Sequence, residues 1–357
     1  MNGTGNSALV GYYVRQYGNP STSWEANNTF NIGADATLFN NKLDIVVDYY
    51  TKNVKGLLFT PPSYALAGEG RPPAVNIGDI QNKGIDLGIT YRTRVNKDLD
   101  ISIGANFGTY TNKITKLPLP GYFDDGSFRF AEGQSISSFF GYKVIGLFQS
   151  AEDVDKSPGQ DAAAPGRLKY LDANGDDSIT TADRVFYGSG IPAFTLGINL
   201  GVNWRNIDFS AQIYTVQGVD IYNGLNTQLM SFENGVTNKS RKLLNAWTPS
   251  NTNTNIKKNE SGSNFSNSAV NNSNFLEDGS FVRLRSIMIG YSFQGAGLRA
   301  IGLNRLRVYL QGANLITISK YSGLDPEVVP PSTATKGLDA GAYVQSPGVV
   351  FGLNLTF

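Results

Sequence analysis

The spacing of apolar residues constrains this chain more than any other feature. Short runs alternate apolar residues with Gly, Ser, Thr, Asn or Asp, as in the run from Phe194 to Trp204. A period of two is the pattern of a β-strand that has one apolar and one polar face. Nine such runs occur, at about residues 30–38, 43–49, 85–91, 99–107, 194–204, 207–213, 287–293, 306–310 and 349–357.

The connections between these runs differ in length. Those near residues 40, 95, 206 and 298 are short, whereas those at about 59–77, 113–192, 218–278 and 314–346 are long. Short periplasmic turns and long outer loops are typical of antiparallel β-barrels in outer membranes. We therefore predict an all-β fold, an antiparallel transmembrane barrel with a periplasmic C-terminus. Residues 1–28 are predicted to be an extracellular loop segment, and residues 29–357 to carry the strands.

The composition fits a barrel and removes several classes of function. No run approaches the roughly 18 apolar residues that a membrane helix needs, but only every second residue of a barrel strand must face lipid. The chain has no Cys and no His, which removes disulfides, thiol chemistry, imidazole bases and most zinc sites. Its net charge of +1 gives no reason to expect a nucleic-acid partner.

A soluble β-sandwich would also alternate, with its apolar face buried. Two features favour the barrel. The polar face carries little Lys or Glu, which suits a water-filled lumen. Aromatic residues lie near the ends of the runs, as interfacial girdles require; they are Phe39, Tyr91, Trp204 and Phe293. Because open sheet edges are not tolerated in a bilayer, we expect this chain to be the C-terminal part of a longer one that closes the barrel.

Several longer segments carry a resemblance that covers nearly the whole chain. They are Asn40–Tyr50, Asn76–Leu87, Phe140–Gln149, Leu276–Arg285 and Ala313–Leu315 followed by Tyr321–Glu327. In these residues and in their order, the chain resembles the SusC/RagA family of TonB-linked outer-membrane transporters of Bacteroidetes.

The resemblance implies parts that lie outside this sequence. It implies a barrel of about 22 strands, a size whose lumen is plugged, with a signal peptide and an N-terminal plug that contacts the TonB complex. It also implies a SusD-like surface lipoprotein as partner and an oligosaccharide or peptide as substrate, without enzymatic catalysis. One alternative is a soluble or surface-displayed β-rich binding or adhesion module stabilised by calcium. A secreted glycan-cleaving enzyme is the other, but no convincing carboxylate pair emerges from the spacing.

One acidic segment predicts a calcium site. Oxygen-bearing side chains stand at positions 1, 3, 5 and 12 of the segment, and a backbone carbonyl at position 7 can complete the shell that Ca²⁺ prefers. The residues are Asp172, Asn174, Asp176, Ser178 and Asp183. The pattern departs from the usual loop at position 6, where Asp177 replaces Gly. An Asx-rich solvated turn is the competing interpretation.

Three further groups of residues are candidates for function. The terminal Phe357, on an alternating strand, is predicted to be a signal for outer-membrane assembly. Arg283 and Arg285, close in sequence to Glu277 and Asp278, are predicted to form a charge network in the lumen or at its rim.

Aromatic and amide side chains in the loops suit carbohydrate recognition. Tyr222, Asn223 and Trp247 are therefore candidates for contact with substrate or with the lipoprotein. Packing within the loops is the competing interpretation for all three residues.

Overall fold

Nine long strands dominate the fold. The computed structural model describes residues 18–59, 73–76, 78–118, 121–232, 238–330, 332, 334–341 and 343–357. The long strands are β1 (Ala26–Leu38), β2 (Leu43–Lys55), β3 (Asp79–Asn96), β4 (Leu99–Lys116), β5 (Phe194–Trp204), β6 (Ile207–Gln217), β7 (Phe281–Phe293), β8 (Arg305–Ser319) and β9 (Gly348–Thr356). The first three residues of β1 overlap the end of the predicted loop segment 1–28, whose first 17 residues lie outside the described part.

The nine strands form one sheet in which chain order equals spatial order. Each strand pairs antiparallel with the next, so the sheet is a continuous meander. The connections at one end are short: residues 39–42, 97–98, 205–206 and 294–304, the last containing the helix Ala296–Ala300. The predicted number of strands and the predicted asymmetry of their connections are both confirmed.

The turn between β1 and β2 shows how the sequence sets one of these short connections. Phe39, Asn40 and Asn41 adopt φ values of 56°, 55° and 64°. Asn tolerates the left-handed region better than most residues because its short polar side chain bonds locally. The Asn pair therefore reverses the chain within four residues.

The pairing register collects the apolar residues on one face. Residues directly opposite each other in a sheet share a face. One such row crosses six strands through Ile101, Val202, Phe209, Ile289, Leu310 and Phe351. No described element covers this row, and Ile289 and Phe351 remain 53% and 66% exposed. The apolar face therefore needs an apolar solvent.

Several strands are longer than the alternation predicts. β3 and β4 have 18 residues each, whereas about 9–11 tilted residues cross a bilayer. The predicted loops from residue 113 and from residue 314 therefore begin inside strands β4 and β8. Alternation disappears at the upper ends of β3 and β4, as in Thr109–Lys116, because a strand beyond the hydrocarbon no longer has one face in lipid. Ile80 and Ile114 are instead buried there against the outer connections.

The long connections fold together into a layer above the strand ends, which we call the loop layer. Its small strands are Leu58–Phe59, Val75–Asn76, Tyr122–Asp125, Phe128–Ala131, Ser138–Gly141, Val144–Leu147, Leu168–Tyr170, Val185–Ser189, Asp220–Asn223, Leu276–Asp278 and Leu338–Asp339. Its helical segments are Ala151–Asp155, Thr181–Asp183, Gly224–Leu229, Arg241–Asn245 and Ser273–Phe275. Within the described ranges, no helix has the length and apolar character to cross a membrane.

Most buried apolar side chains belong to this layer or to the adjoining strand ends. One cluster contains Tyr142, Leu147, Leu168, Tyr170, Ile179 and Trp247, and a second contains Ile80, Ile114, Phe128, Phe130 and Phe139. Backbone hydrogen bonds join different connections, such as Tyr142 N–H to the Asn271 carbonyl at 2.9 Å. The loop layer thus has its own packed cores, the second of which includes the upper ends of β3 and β4.

Candidate functional site

The polar face of the sheet forms a hydrophilic groove of about 650 Å³. Its wall includes Asp48, Asp86, Asn106 and Asn199 from four consecutive strands. The register places Asp48 directly opposite Asp86. Two carboxylates at such a position favour a wet environment, because like charges repel strongly in a dry one. The groove therefore suits contact with water or with polar groups.

Arg283 is the most deeply buried charged group in the sheet. Its side chain is 3% exposed and projects from β7 towards the segment that follows β8. The guanidinium donates to Thr317 Oγ1 at 3.0 Å, to Glu327 Oε2 at 2.9 Å and to Asp325 Oδ1. Burial raises the pKa of Asp325, but hydrogen bonds from the backbone of Glu327 and Gln345 and from Arg283 outweigh it, so this pKa lies below its ordinary value.

Arg285 completes the network from a more exposed position. Its Nη2 donates to Glu327, and its guanidinium lies 4.2 Å from the centre of the Tyr214 ring. The side chain is 36% exposed. The predicted charge network therefore forms, but the acidic partners of both arginines are Asp325 and Glu327 instead of the nearby Glu277 and Asp278.

A bulge explains why Arg283 reaches the polar face. Between Leu284 and Ser286 the register of β7 shifts against both neighbouring strands. Arg285 is an extra residue relative to β6, whereas β8 has one residue more than β7 at this point. A bulge of one residue changes which side chains point to each face. Leu284 consequently pairs with Ile213 on the apolar face, and Arg283 pairs with Tyr214 on the polar face.

Glu277 connects two of the segments that carried the sequence resemblance. Its carboxylate accepts from the Ser322 backbone N–H at 2.6 Å and from the Ser322 hydroxyl at 2.9 Å. The side-chain amides of Asn223 and Asn226 also donate to it, at 3.0 and 3.3 Å. Glu277 therefore ties the segment before β7 to the segment after β8.

The aromatic and amide candidates serve the packing of the loop layer. Asn223 is 1% exposed and caps the helix Gly224–Leu229. Trp247 is 7% exposed, belongs to the first cluster and donates from Nε1 to Gln149 Oε1 at 3.0 Å. Tyr222 is half-buried and packs 6.1 Å from the Phe139 ring. Their positions favour the packing interpretation over contact with a ligand.

The acidic loop at Asp172 closes on itself through hydrogen bonds. Asp172 accepts from the backbone N–H groups of Gly175 and Asp177 at 2.8 and 2.9 Å. Asn174 accepts from the Asp176 backbone N–H at 3.0 Å, and the Asp176 side chain accepts from the Ser178 backbone N–H at 2.9 Å. These are the Asx turns of the competing interpretation.

Asp183 is fully buried and acts as a backbone cap. Its two oxygens accept from the backbone N–H groups of Ala173 at 3.0 Å and Thr180 at 2.7 Å. Burial raises the pKa of Asp183, but these hydrogen bonds outweigh it, so the pKa lies below its ordinary value. Across the described ranges, no three acidic side chains lie close enough together to hold a metal. The geometry therefore adds no support to the calcium prediction.

The structure also brings together an ion pair that the sequence did not indicate. Arg167 donates from Nε and Nη2 to the two oxygens of Glu260, both at 2.8 Å, and Lys258 lies 2.9 Å from the same carboxylate. Hydrogen bonding from the Arg167 side chain is the main cause that lowers the pKa of Glu260 to about 2. The partners are 93 residues apart, so no local pattern could have predicted them.

Phe357 follows the end of β9 and is 80% exposed. It continues the alternation of Leu353 and Leu355, which pair with Val308 and Leu306 on the apolar face. Trp204 and Phe293 also end their strands at the level of the short turns. The position suits an interfacial aromatic residue, and the assembly role stays a prediction.

Comparison with known proteins agrees with this arrangement. TonB-dependent receptor P3 of Formosa agariphila is 31% identical in an alignment of 374 positions that covers 99% of this chain and 36% of that protein. TonB-dependent receptor SusC of Bacteroides thetaiotaomicron is 26% identical in an alignment of 347 positions that covers 95% of this chain and 32% of SusC. A solved structure of the RagAB peptide transporter superposes with a TM-score of 0.77 at 27% identity, over 95% of this chain and 36% of that one. No protein-family model matches the chain.

These relatives define the class of protein. The sheet is part of a larger antiparallel outer-membrane barrel of the TonB-dependent kind. The predicted resemblance to the SusC/RagA type of TonB-linked transporter is confirmed over nearly the whole chain. The chain spans about a third of the length of the relatives that it matches.

Proposed function

We propose that this chain supplies part of the wall and outer loops of a TonB-dependent importer for an oligosaccharide or a peptide. One observation carries the proposal: a nine-stranded meander whose apolar face is uncovered and whose other face forms a polar groove. The rival interpretation, a soluble binding or adhesion module, needs a protein layer over the apolar face. Ile289 and Phe351 have no such cover within the described residues.

The proposed mechanism involves no covalent chemistry. Substrate is captured at the loop layer together with a SusD-like lipoprotein. The TonB complex then acts on a plug outside this chain, and the substrate moves past the polar groove. The short turns and the C-terminus lie on the periplasmic side, and Phe357 is read during assembly. Arg285, at the rim of its network and partly exposed, is the most accessible predicted contact for substrate or lipoprotein.

The proposal is tested by uptake in the cells that make the full-length protein. We expect fluorescently labelled oligosaccharide or peptide to enter the periplasm only when both this protein and TonB are present. A variant of the full-length protein with a deleted TonB-contacting segment serves as control for expression, since it keeps the whole barrel. Uptake that continues without TonB would contradict the proposal.

We also propose that the loop from Asp172 to Asp183 binds calcium weakly at the outer surface. The support is the oxygen spacing at positions 1, 3, 5, 7 and 12, together with Ile179, whose burial fixes the middle of the loop. Calorimetric titration of the full-length protein should give binding at millimolar calcium that Asp176→Ala abolishes. If wild-type protein and variant give the same heats, the loop is an Asx-rich turn alone.

A further inference from the structure

The loop layer contains a cavity of about 360 Å³ with both polar and apolar side chains in its wall. The polar lining residues include Lys242, Asn255, Lys257, Asn274 and Glu277, beside the helix Gly224–Leu229. This volume falls in the range of about 300–1,000 Å³ that small-ligand sites occupy. We propose that the cavity binds one acidic sugar unit, and so is a recognition site for substrate; this inference rests on the proposed import function.

Three polar side chains of the wall are free to bind a ligand. The ammonium group of Lys242 and the carboxamides of Asn255 and Asn274 have no hydrogen-bond or ion-pair partner among the described residues. An ammonium group supplies three donors and a full positive charge. A carboxamide both donates and accepts, as a sugar hydroxyl does. The free groups therefore match a carboxylate or sulfate next to hydroxyls.

The wall carries more positive than negative charge. It holds one carboxylate, Glu277, and two ammonium groups, Lys242 and Lys257. Glu277 accepts four hydrogen bonds from neutral donors, the backbone and hydroxyl of Ser322 and the amides of Asn223 and Asn226, which hold it in place and leave its charge unchanged. Of the two lysines, Lys242 has an ammonium group with no hydrogen-bond or ion-pair partner among the described residues, and we assign it the contact with the anion.

Apolar side chains complete the wall. Phe275 and Met230 both line the cavity and are half-buried. An aromatic ring and a thioether offer apolar surface to the C–H groups of a sugar ring. The combination of an ammonium, two free carboxamides and this apolar surface favours an acidic saccharide over a neutral one.

The test uses the full-length protein in detergent and isothermal calorimetry. Tetragalacturonate is the probe, maltotetraose the neutral control of equal length and tetraglutamate the acidic peptide control. We expect tetragalacturonate to bind at least about tenfold more tightly than maltotetraose, and Lys242→Gln to weaken it about tenfold, the loss expected for one charge-assisted hydrogen bond. Lys143→Gln, an exposed lysine of the loop layer away from the cavity, should change binding less than about twofold.

Each contrary outcome overturns the inference in a different way. Equal binding of maltotetraose would show that charge has no role, and an unchanged affinity in Lys242→Gln would show that the saccharide binds outside this cavity. Tighter binding of tetraglutamate would show that the cavity prefers an acidic peptide to a saccharide. Heat-modifiable gel mobility confirms that each variant is folded. TonB-dependent uptake is measured separately, so that loss of this inference and loss of the proposed function are distinguishable.

Discussion

At the scale of single residues, buried charge does most to position the loops. The nearly inaccessible guanidinium of Arg283 donates hydrogen bonds to Asp325, Glu327 and Thr317 at once. A buried guanidinium is stable only when its donors are matched, and removing one partner leaves a charge without compensation. Arg283 therefore fixes where the segment after β8 lies on the sheet.

We expect Arg283→Met to release that segment. The variant leaves the largely buried carboxylate of Asp325 without its cation and Glu327 with Arg285 alone, at a cost of about 3 kcal/mol or more. Hydrogen–deuterium exchange should then rise in residues 320–330 and stay unchanged at the short turns. Arg205→Met is the matched control, because Arg205 is 67% exposed and lies 3.5 Å from Asp98. Equal protection in the two variants would show that Arg283 has no anchoring role.

The Arg167–Glu260 pair predicts a dependence on pH. Because the pKa of folded Glu260 is lowered to about 2, its contribution to stability is present above the ordinary pKa of a glutamate and is lost as pH falls towards 2. The protection factors of the amides at residues 160–168 and 256–262, which compare the measured with the intrinsic exchange rate at each pH, should fall on acidification from pH 5 to pH 3. In Glu260→Gln the same segments should exchange faster at pH 7, because the local free energy of opening falls by about 1–3 kcal/mol. Their protection should then change less between pH 5 and pH 3 than in the wild-type protein.

At the scale of elements, the alternation predicted every long strand because lipid imposes a period of two. It failed at the upper ends of β3 and β4, which pack against the loop layer through Ile80 and Ile114 and have no lipid face. In β8 the alternation resumes at Ile316 and Ile318, beyond the register shift opposite Arg285. It also could not reveal the bulge at Arg285 directly. A signal was present, since the apolar residues change from even numbers at Val282 and Leu284 to odd numbers at Ile287 and Ile289.

The turn between β1 and β2 gives a prediction at this scale. Asn41 has a φ of 64°, which costs a β-branched residue about 1–2 kcal/mol. Asn41→Val should therefore lower the yield of heat-modifiable folded protein in refolding from urea. Asn41→Gly should refold at least as well as wild type, because glycine adopts this conformation without strain. If both variants refold alike, the turn does not depend on this residue.

The candidate site was less predictable than the strands. The charge network was expected, but its acidic partners come from residues 325 and 327, which only the folded loops bring to β7. Trp247 and Asn223 were expected to be candidates for contact, yet both are buried in the loop layer. Residue type alone does not distinguish an aromatic ring that binds a ligand from one that fills a loop core.

At the scale of the whole molecule, one part of the fold is built to contact hydrocarbon and the other to contact water. The central rows of the sheet are exposed and apolar on one side, whereas the buried cores lie in the loop layer. Stability of the sheet therefore depends on hydrocarbon contact, and stability of the layer depends on its own packing.

A pair of variants tests this division. Ile289→Arg places a charge on the uncovered apolar face and should reduce membrane insertion, at a cost of about 2–4 kcal/mol near the bilayer centre. Asn199→Arg places the same side chain on the polar face, in the groove that Asp48 and Asp86 also line, and should insert normally. Insertion is measured as heat-modifiable protein in the outer-membrane fraction. Equal insertion of the two variants would contradict the assignment of the faces.

The length of the β3–β4 hairpin has a consequence for how such proteins diversify. About eight residues of each strand extend past the bilayer, roughly 25 Å along the strand, so the upper part of the hairpin separates the outer connections from the membrane. A new segment joined to the upper ends of β3 and β4 would contact neither lipid nor the residues that span the membrane. The outer segments can thus differ between related proteins while the strands that cross the membrane stay the same.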